Sequence, residues 1–332
     1  MTLTSRAPMR LAEPLDLLRV LYVPGVGRVR LAAIMNWLTQ QGIGLKSFLD
    51  EPEIQKRFFT TRQCEALLRN HDVVATAWQE LQQAGVKVLQ PLDPAYPRCM
   101  KLRLGDKAPP LLFTRGNTDV LDAPSVGFCG SRKASAKGLA VAKDCASQVA
   151  ARGANVVSGY AAGVDLEVHE AALSSGCTTT VVLAEGILRF RLKRAIAAHW
   201  DWHRVCVVSE FLPNVPWTVH NAMQRNETIA ALSRAMVLIE ARRSGGSFAA
   251  GEATLRLGIP LFAAVYEGMP EGAEGNRQLM VRGASRLFKS RRSGRANLAP
   301  LLRALNDDCG EARRSIAKVS RGPASQEELF AD

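Results

Sequence analysis

The chain has 332 residues, 47% hydrophobic and 22% charged, which is room for more than one core and the make-up of a folded protein rather than a disordered one. Lys and Arg number 43 against 31 Asp and Glu, a formal charge of +12 that favours polyanionic partners such as nucleic acid, nucleotides or an anionic membrane. The seven cysteines are scattered and form no C-x-x-C pair, which argues against a disulfide framework and against a zinc knuckle. No apolar run suits a secretory signal or a membrane helix, so a cytoplasmic location is expected.

From Pro14 to about Ala84 the apolar residues recur at helical spacing, with a break at Gly25 and Gly27 in VPGVGRV, which predicts a compact helical bundle. Residues Val86 to Gly116 read as a connector: two extended pieces, VKVLQP and PLLFTRG, punctuated by five prolines. From Ser125 short apolar runs alternate with helical stretches: SVGFCG, ANVVSG, TTTVVLAEG, RVCVVSE, AMVLIEA and PLFAAVYEG. Unalternated apolar strands are buried on both faces, and strands interleaved with helices predict a parallel sheet with right-handed crossovers. The fold class is therefore α/β, a Rossmann-like parallel sheet with helices on both faces, preceded by a small helical domain. Beyond Leu287 the chain turns basic and polar, with a short helix expected over Leu298 to Leu305 and disorder from Cys309. The boundaries fall at 1–84, 85–288 (with 85–124 as the connector) and 289–332.

Ligands of an open parallel sheet bind at the carboxyl ends of its strands, and four loops there are unusual. The first is Gly130-Ser131-Arg132-Lys133 after SVGFC. Its backbone N–H groups can approach an anion, a following helix would point its positive end at it, and Arg132 offers a planar fork. A plain glycine turn with solvated basic residues is the alternative. The second runs from Ser158 and Gly159 to Gly163, where small residues clear the strand end. Asp165 suits an N-cap, and His169, one turn on, suits a hydrogen bond to that cap; acid–base work by the pair is the alternative. The third is Gln224-Arg225-Asn226, read as opening the helical stretch ETIAALS. The fourth is Arg242-Arg243-Ser244-Gly245-Gly246-Ser247, another glycine-rich helix start with two arginines before it. A row of such sites suits a phosphodiester backbone at least as well as a single nucleotide. His199 and His203 are spaced for a metal, but no third ligand is evident. No catalytic set, metal or cofactor is expected.

The run DPAYPRCMKLRLGDKAPPLLFTRGN into VGFCGSRKAS, then ANVVSGYAAGVDLEVHEAAL, QRNETIAALSRAMVLIEARRSGGS and EGNRQLMVRGA, resembles the DNA-processing protein A (DprA/Smf) family from about Gly85 to Gly283. The first 84 residues resemble the helix-hairpin-helix or SAM-like domain that often precedes it. There the VPGVG turn would offer N–H groups to phosphate, a plain tight turn being equally open. The resemblance implies single-stranded DNA binding, a homodimer, and hand-over of the strand to a RecA-type recombinase in bacterial transformation. It implies strand contacts at Gly130, Ser131, Arg132, Ser158, Gly159, Gly163, Arg225, Asn226, Ser244 and Gly245; Lys133, Arg243 and Gly246 flank them. The chain departs from the family's pattern at Leu188–Arg194, where four basic residues replace a Tyr-Pro-x-x-Asn stretch, at Phe248-Ala249-Ala250 and at Val265–Gly268. Such divergence suits a specialised role, for instance as partner or antitoxin to a cognate toxin in a defence module.

An enzyme is the competing class: Ser244–Ser247 with Glu252 faintly echoes the loop of nucleotide-phosphoribohydrolases, on fold analogy alone. A regulatory nucleotide-binding protein is a third. At the far end Gln326, Leu329 and Phe330 resemble the short peptide with which bacterial proteins dock on the replicative sliding clamp.

Overall fold

The computed structural model describes residues 12–290, 292–306 and 309. The chain opens with α1 (Pro14–Leu21), α2 (Arg28–Gln41), α3 (Leu45–Asp50), α4 (Pro52–Gln55), α5 (Thr61–Arg69) and α6 (His71–Gln83). Their apolar faces close over Leu18, Leu31, Ile34, Phe48 and Leu67, all buried. Gly42 ends α2 at a left-handed φ of 68°, where an L side chain would be strained. Thr60 and Gln63 cap α5 reciprocally, and the Gln63 amide also donates to the Pro24 carbonyl at 2.9 Å. That bond pins the VPGVG turn to the bundle.

The extended pieces of the connector become β1 (Lys87–Leu89) and β2 (Leu112–Gly116). Between them lies a helix absent from the sequence reading, α7 (Arg98–Leu104). Pro97 sits at its N-cap, so proline that reads as loop punctuation here starts a helix. The alternation then unfolds as β3 (Ser125–Cys129), α8 (Ala136–Ala150), β4 (Asn155–Ser158), α9 (Val164–Ser174), β5 (Thr179–Val182) and α10 (Arg194–Ala197). It continues through β6 (Val205–Ser209), α11 (Val219–Leu232), β7 (Ala235–Leu238), α12 (Gly246–Arg256) and β8 (Leu261–Ala264), and closes with α13 (Glu274–Val281), β9 (Ser285–Leu287) and α14 (Ala299–Ala304).

One sheet of order β1-β2-β6-β5-β4-β3-β7-β8-β9 results. It is parallel from β6 to β9, with β1 and β2 added antiparallel at one edge. The chain steps outward from β3 to β6, then crosses back to β7 on the other side of β3. The crevice between β3 and β7 is thus the topological switch point, where open α/β sheets hold their ligands.

Strand alternation assigns each side chain to a face. Val182, Cys206 and Val208 pack with α7, α11 and α12 on one side. Val181, Val205 and Val207 share a core with Leu17, Leu31, Phe48 and Leu67 of the first helices. The bundle therefore covers β2, β5 and β6, while α8, α9 and α14 cover β3, β4 and β7 on the same side. Leu298, Leu301 and Leu305 are buried there, so part of the basic extension belongs to the core. Arg28, which follows the VPGVG turn, reaches Glu210 at 3.6 Å and Glu227 at 3.7 Å, tying bundle to sheet.

A disulfide joins Cys99 of α7 to Cys309, with their Cα atoms 5.4 Å apart. The scattered cysteine spacing argued against one; a pair separated by 210 residues leaves no local pattern to read. Among the described residues no helix is long and apolar enough to cross a membrane. Gln326, Leu329 and Phe330 lie outside the described residues.

Candidate nucleic-acid interface

A groove of about 650 Å³ opens at the switch point, between the loops after β3 and β7 and the start of α11. One wall is cationic and rich in backbone N–H. It is made of Gly130, Ser131, Arg132 and Lys133 on one side and Arg242, Ser244, Gly245, Gly246 and Ser247 on the other. The Ser247 hydroxyl donates to the Gly130 carbonyl at 2.7 Å, and the Asn226 amide donates to the Gly246 carbonyl at 3.0 Å. Buried Asn276 of α13 accepts from Ala241 N–H at 2.9 Å and donates to the carbonyls of Ile239 and Ala264. The Ser247 bond holds the start of α12 against the loop after β3, and the others tie the loop after β7 to α11, α13 and β8.

Gly245, at φ of 105°, is the N-cap of α12 and offers no side-chain cap. A Cβ added at Gly245 or Gly246 would meet nothing within 4 Å. Space and uncapped N–H groups together make this helix start an anion acceptor. Arg132, Lys133 and Arg242 add charge, and none of them forms an ion pair among the described residues.

The facing wall is apolar: Trp217, Val219, Ala222 and Met223. Trp217 is 44% exposed and Val219 67%. The Arg132 guanidinium lies 5.1 Å from the Trp217 ring centroid, within cation–π reach. The sequence reading passed over Trp217 and Met223, and named Arg242 only as part of the fourth loop. The available signal was Trp217 and Val219 flanking a threonine N-cap at a helix start; a buried helix face would not place them there.

Several expected contacts turn out to serve the protein instead. Helix α8 starts at Ala136, and its N-cap Ser135 is held by Glu240, whose carboxylate accepts from Ser135 N–H at 3.0 Å and from its hydroxyl at 2.6 Å. That helix end is neutralised from within, by a carboxylate that also lines the groove. Ser158 is fully buried, its one hydroxyl proton shared between the Phe128 carbonyl and the Asp165 carboxylate. A Cβ at Gly159 would strike the Arg225 guanidinium, and one at Gly163, at φ of 80°, the backbone carbonyls of Ser131 and Arg132. These glycines make room for the protein's own groups. Arg225 lines the groove floor but is only 6% exposed; it donates to the Val182 carbonyl at 3.2 Å and faces Asp165 at 3.9 Å. Arg243 pairs with Glu274 outside the groove lining, and Arg242 takes its place.

Asp165 is not the N-cap of α9; Gly163 holds that position without a side-chain bond. The carboxylate accepts from Ala161 N–H at 3.1 Å and from the Ser158 hydroxyl at 3.0 Å. His169 does not bond to it. Its ring bridges the Gly159 carbonyl at 2.6 Å and the Thr179 hydroxyl at 2.7 Å. Complete burial strips water from the imidazole and pulls its pKa down to about 4. A neutral ring sealed in the core orients a loop and has no access to a ligand's proton. Glu252 lies within α12, paired with Arg282 and away from the groove lining, which leaves the hydrolase analogy without its acid.

A parallel sheet whose switch point carries an anion-accepting loop pair opposite an apolar wall defines a Rossmann-like binding protein. The chain belongs to the family of DNA recombination-mediator protein A, whose model matches residues 87–293. Protein Smf of Escherichia coli is 27% identical over 272 residues, 80% of this chain and 70% of that protein. The DNA processing protein DprA of Streptococcus pneumoniae is 32% identical over 169 residues, 50% of this chain and 60% of that protein. The solved structure of S. pneumoniae DprA superposes with a TM-score of 0.69 at 25% identity, covering 83% of this chain and 95% of that one. A DNA processing protein A from Helicobacter pylori, described by its single-stranded DNA binding mode, shares the fold with a TM-score of 0.52 at 22% identity, covering 60% and 90%.

Proposed function

We propose that this protein binds single-stranded DNA in the switch-point groove as a recombination mediator, and performs no chemistry on it. The carrying observation is the pairing of unlike walls. The Gly130–Lys133 and Arg242–Ser247 side suits phosphates, while Trp217, Val219 and Met223 suit the flat apolar faces of bases. A duplex hides those faces in its own stack, so the apolar wall would be wasted on it. Family membership and the single-strand binding of the H. pylori relative support the same reading. A homodimer that passes its strand to a RecA-type recombinase completes the proposal.

Fluorescence anisotropy with a labelled oligonucleotide tests it. Single strands should bind more tightly than the matching duplex, with an affinity that falls steeply as salt rises, and nucleoside monophosphates should compete poorly. Equal affinity for duplex, or displacement by monophosphates at comparable concentration, overturns the reading in favour of a duplex or nucleotide binder.

A further inference from the structure

The segment after β5 is the second concentration of positive charge near the groove. Arg189, Arg191 and Arg194 are exposed and Lys193 is half-buried, across six consecutive positions. A run of this kind is ordinarily a solvated loop. Here it is propped. The Tyr160 hydroxyl accepts from Lys193 N–H at 2.8 Å and donates to the Arg191 carbonyl at 3.3 Å. The Lys193 ammonium stands 4.3 Å from the Tyr160 ring centroid and also donates to the Tyr160 carbonyl. Behind Tyr160 the rings of Phe190, Trp200 and Trp202 pack in series at 5.2–5.6 Å, and the pile leans on the core beneath the first helices. The backbone of the basic segment is thereby fixed to the loop that follows β4.

The segment is also continuous with the groove. Tyr160 precedes Ala161, which lines it, and Lys193 feels the charges of both Asp165 and Arg132. Glu185 is the carboxylate that Arg189, Arg191 and Lys193 act on, and burial raises its pKa. Four cations against the two carboxylates Glu185 and Asp165 leave a net positive surface beside the groove mouth.

We propose that Arg189, Arg191, Lys193 and Arg194 form a ledge that binds the sugar-phosphate backbone of the single strand as it leaves the groove. The proposal rests on the groove's being a single-strand site. Arginines on a rigid support lose little freedom on binding, and each phosphate neutralised releases condensed counterions. The ledge therefore adds affinity only for strands long enough to reach it.

The test compares the full-length protein with an Arg189→Gln, Arg191→Gln, Arg194→Gln variant, using oligothymidylates of about 6 and about 20 nucleotides, lengths chosen from single-strand site sizes. The short strand should bind both proteins within about twofold. The long strand should bind the variant on the order of tenfold more weakly, and the slope of log affinity against log salt should become shallower by about 2. Arg189 and Arg191 also donate to backbone carbonyls, so Arg194→Glu serves as a second variant. Arg194 has no hydrogen bond or ion pair among the described residues, and its reversal should reproduce the long-strand loss in a protein of unchanged melting temperature. Long-strand binding and salt slope unaffected by either variant overturn the ledge alone, as does an equal loss for both lengths. Wild-type protein that binds neither length overturns the groove reading and the ledge with it.

Discussion

On paper the loops after β4 and β7 are the same kind of object: glycines and small residues at a strand end, leading into a helix, with arginine nearby. In the folded chain they are opposites. Around Gly159 and Gly163 a methyl group would collide with Arg225 and with the backbone of the Gly130 loop, whereas around Gly245 and Gly246 it would enter empty space. The first loop lacks side chains because the protein fills the room itself. The second lacks them and nothing of the protein fills the room. A glycine-rich strand end thus has two causes, and the contents of the adjacent space tell them apart.

The comparison breaks first, if it is wrong, on stability. Gly159→Ala forces the Arg225 guanidinium off Asp165 and should cost about 3 kcal/mol or more, the scale of a broken buried pair. Gly246→Ala, in open space at a helix start, should stay within about 0.5 kcal/mol. Urea denaturation of both variants decides; equal losses would remove the distinction between the loops.

The closed loop also carries a pH signature through His169, whose ring bonds to Gly159. An unfolded chain protonates its histidines near the usual 6.5, while this buried ring resists until about 4. The folded-state pKa is depressed, so its contribution is fully present above pH 6.5 and drains away as pH falls toward 4. That loss amounts to about 3 kcal/mol. Denaturation midpoints of wild type and His169→Gln between pH 7 and 4 should converge as the pH drops; parallel curves would contradict a sealed neutral ring.

The open side is read through binding. Arg132→Ala should weaken single-strand binding by about 1.5–3 kcal/mol, the range for a charged hydrogen bond, without lowering the melting temperature. Trp217→Ala should cost about 1–3 kcal/mol, as loss of one stacked base does, and Trp217→Phe should restore most of it. Wild-type tryptophan emission should be quenched on binding, and a Trp217→Ala protein with full affinity would show that bases do not use this wall. The smallest effect belongs to Arg243→Ala. Its charge is already matched by Glu274 on an exposed surface, so the change should be below about 0.5 kcal/mol and smaller than that of Arg242→Ala. A reversed order would mean that the salt bridge opens when the strand arrives.

The alternation of apolar runs and helical stretches was enough to show a Rossmann-like sheet and to put the loops after β3, β4 and β7 at one end of it, because buried parallel strands and amphipathic helices are written in local periodicity. Arg225-Asn226, read as another such loop, lies inside α11, which already begins at Val219. The family resemblance was carried by those same local runs. What lay beyond the sequence were relations between segments far apart in the chain. That Glu240 stops the end of α8, that Arg225 turns inward to Asp165 while Arg132 lies on Trp217, and that Cys99 meets Cys309 all depend on which surfaces come together. Helix α7 escaped because proline marks both turns and helix starts. The first helices read as a separate bundle, yet Val181, Val205 and Val207 share their core. An apolar strand shows that both its faces are covered, and only the packed molecule shows by what.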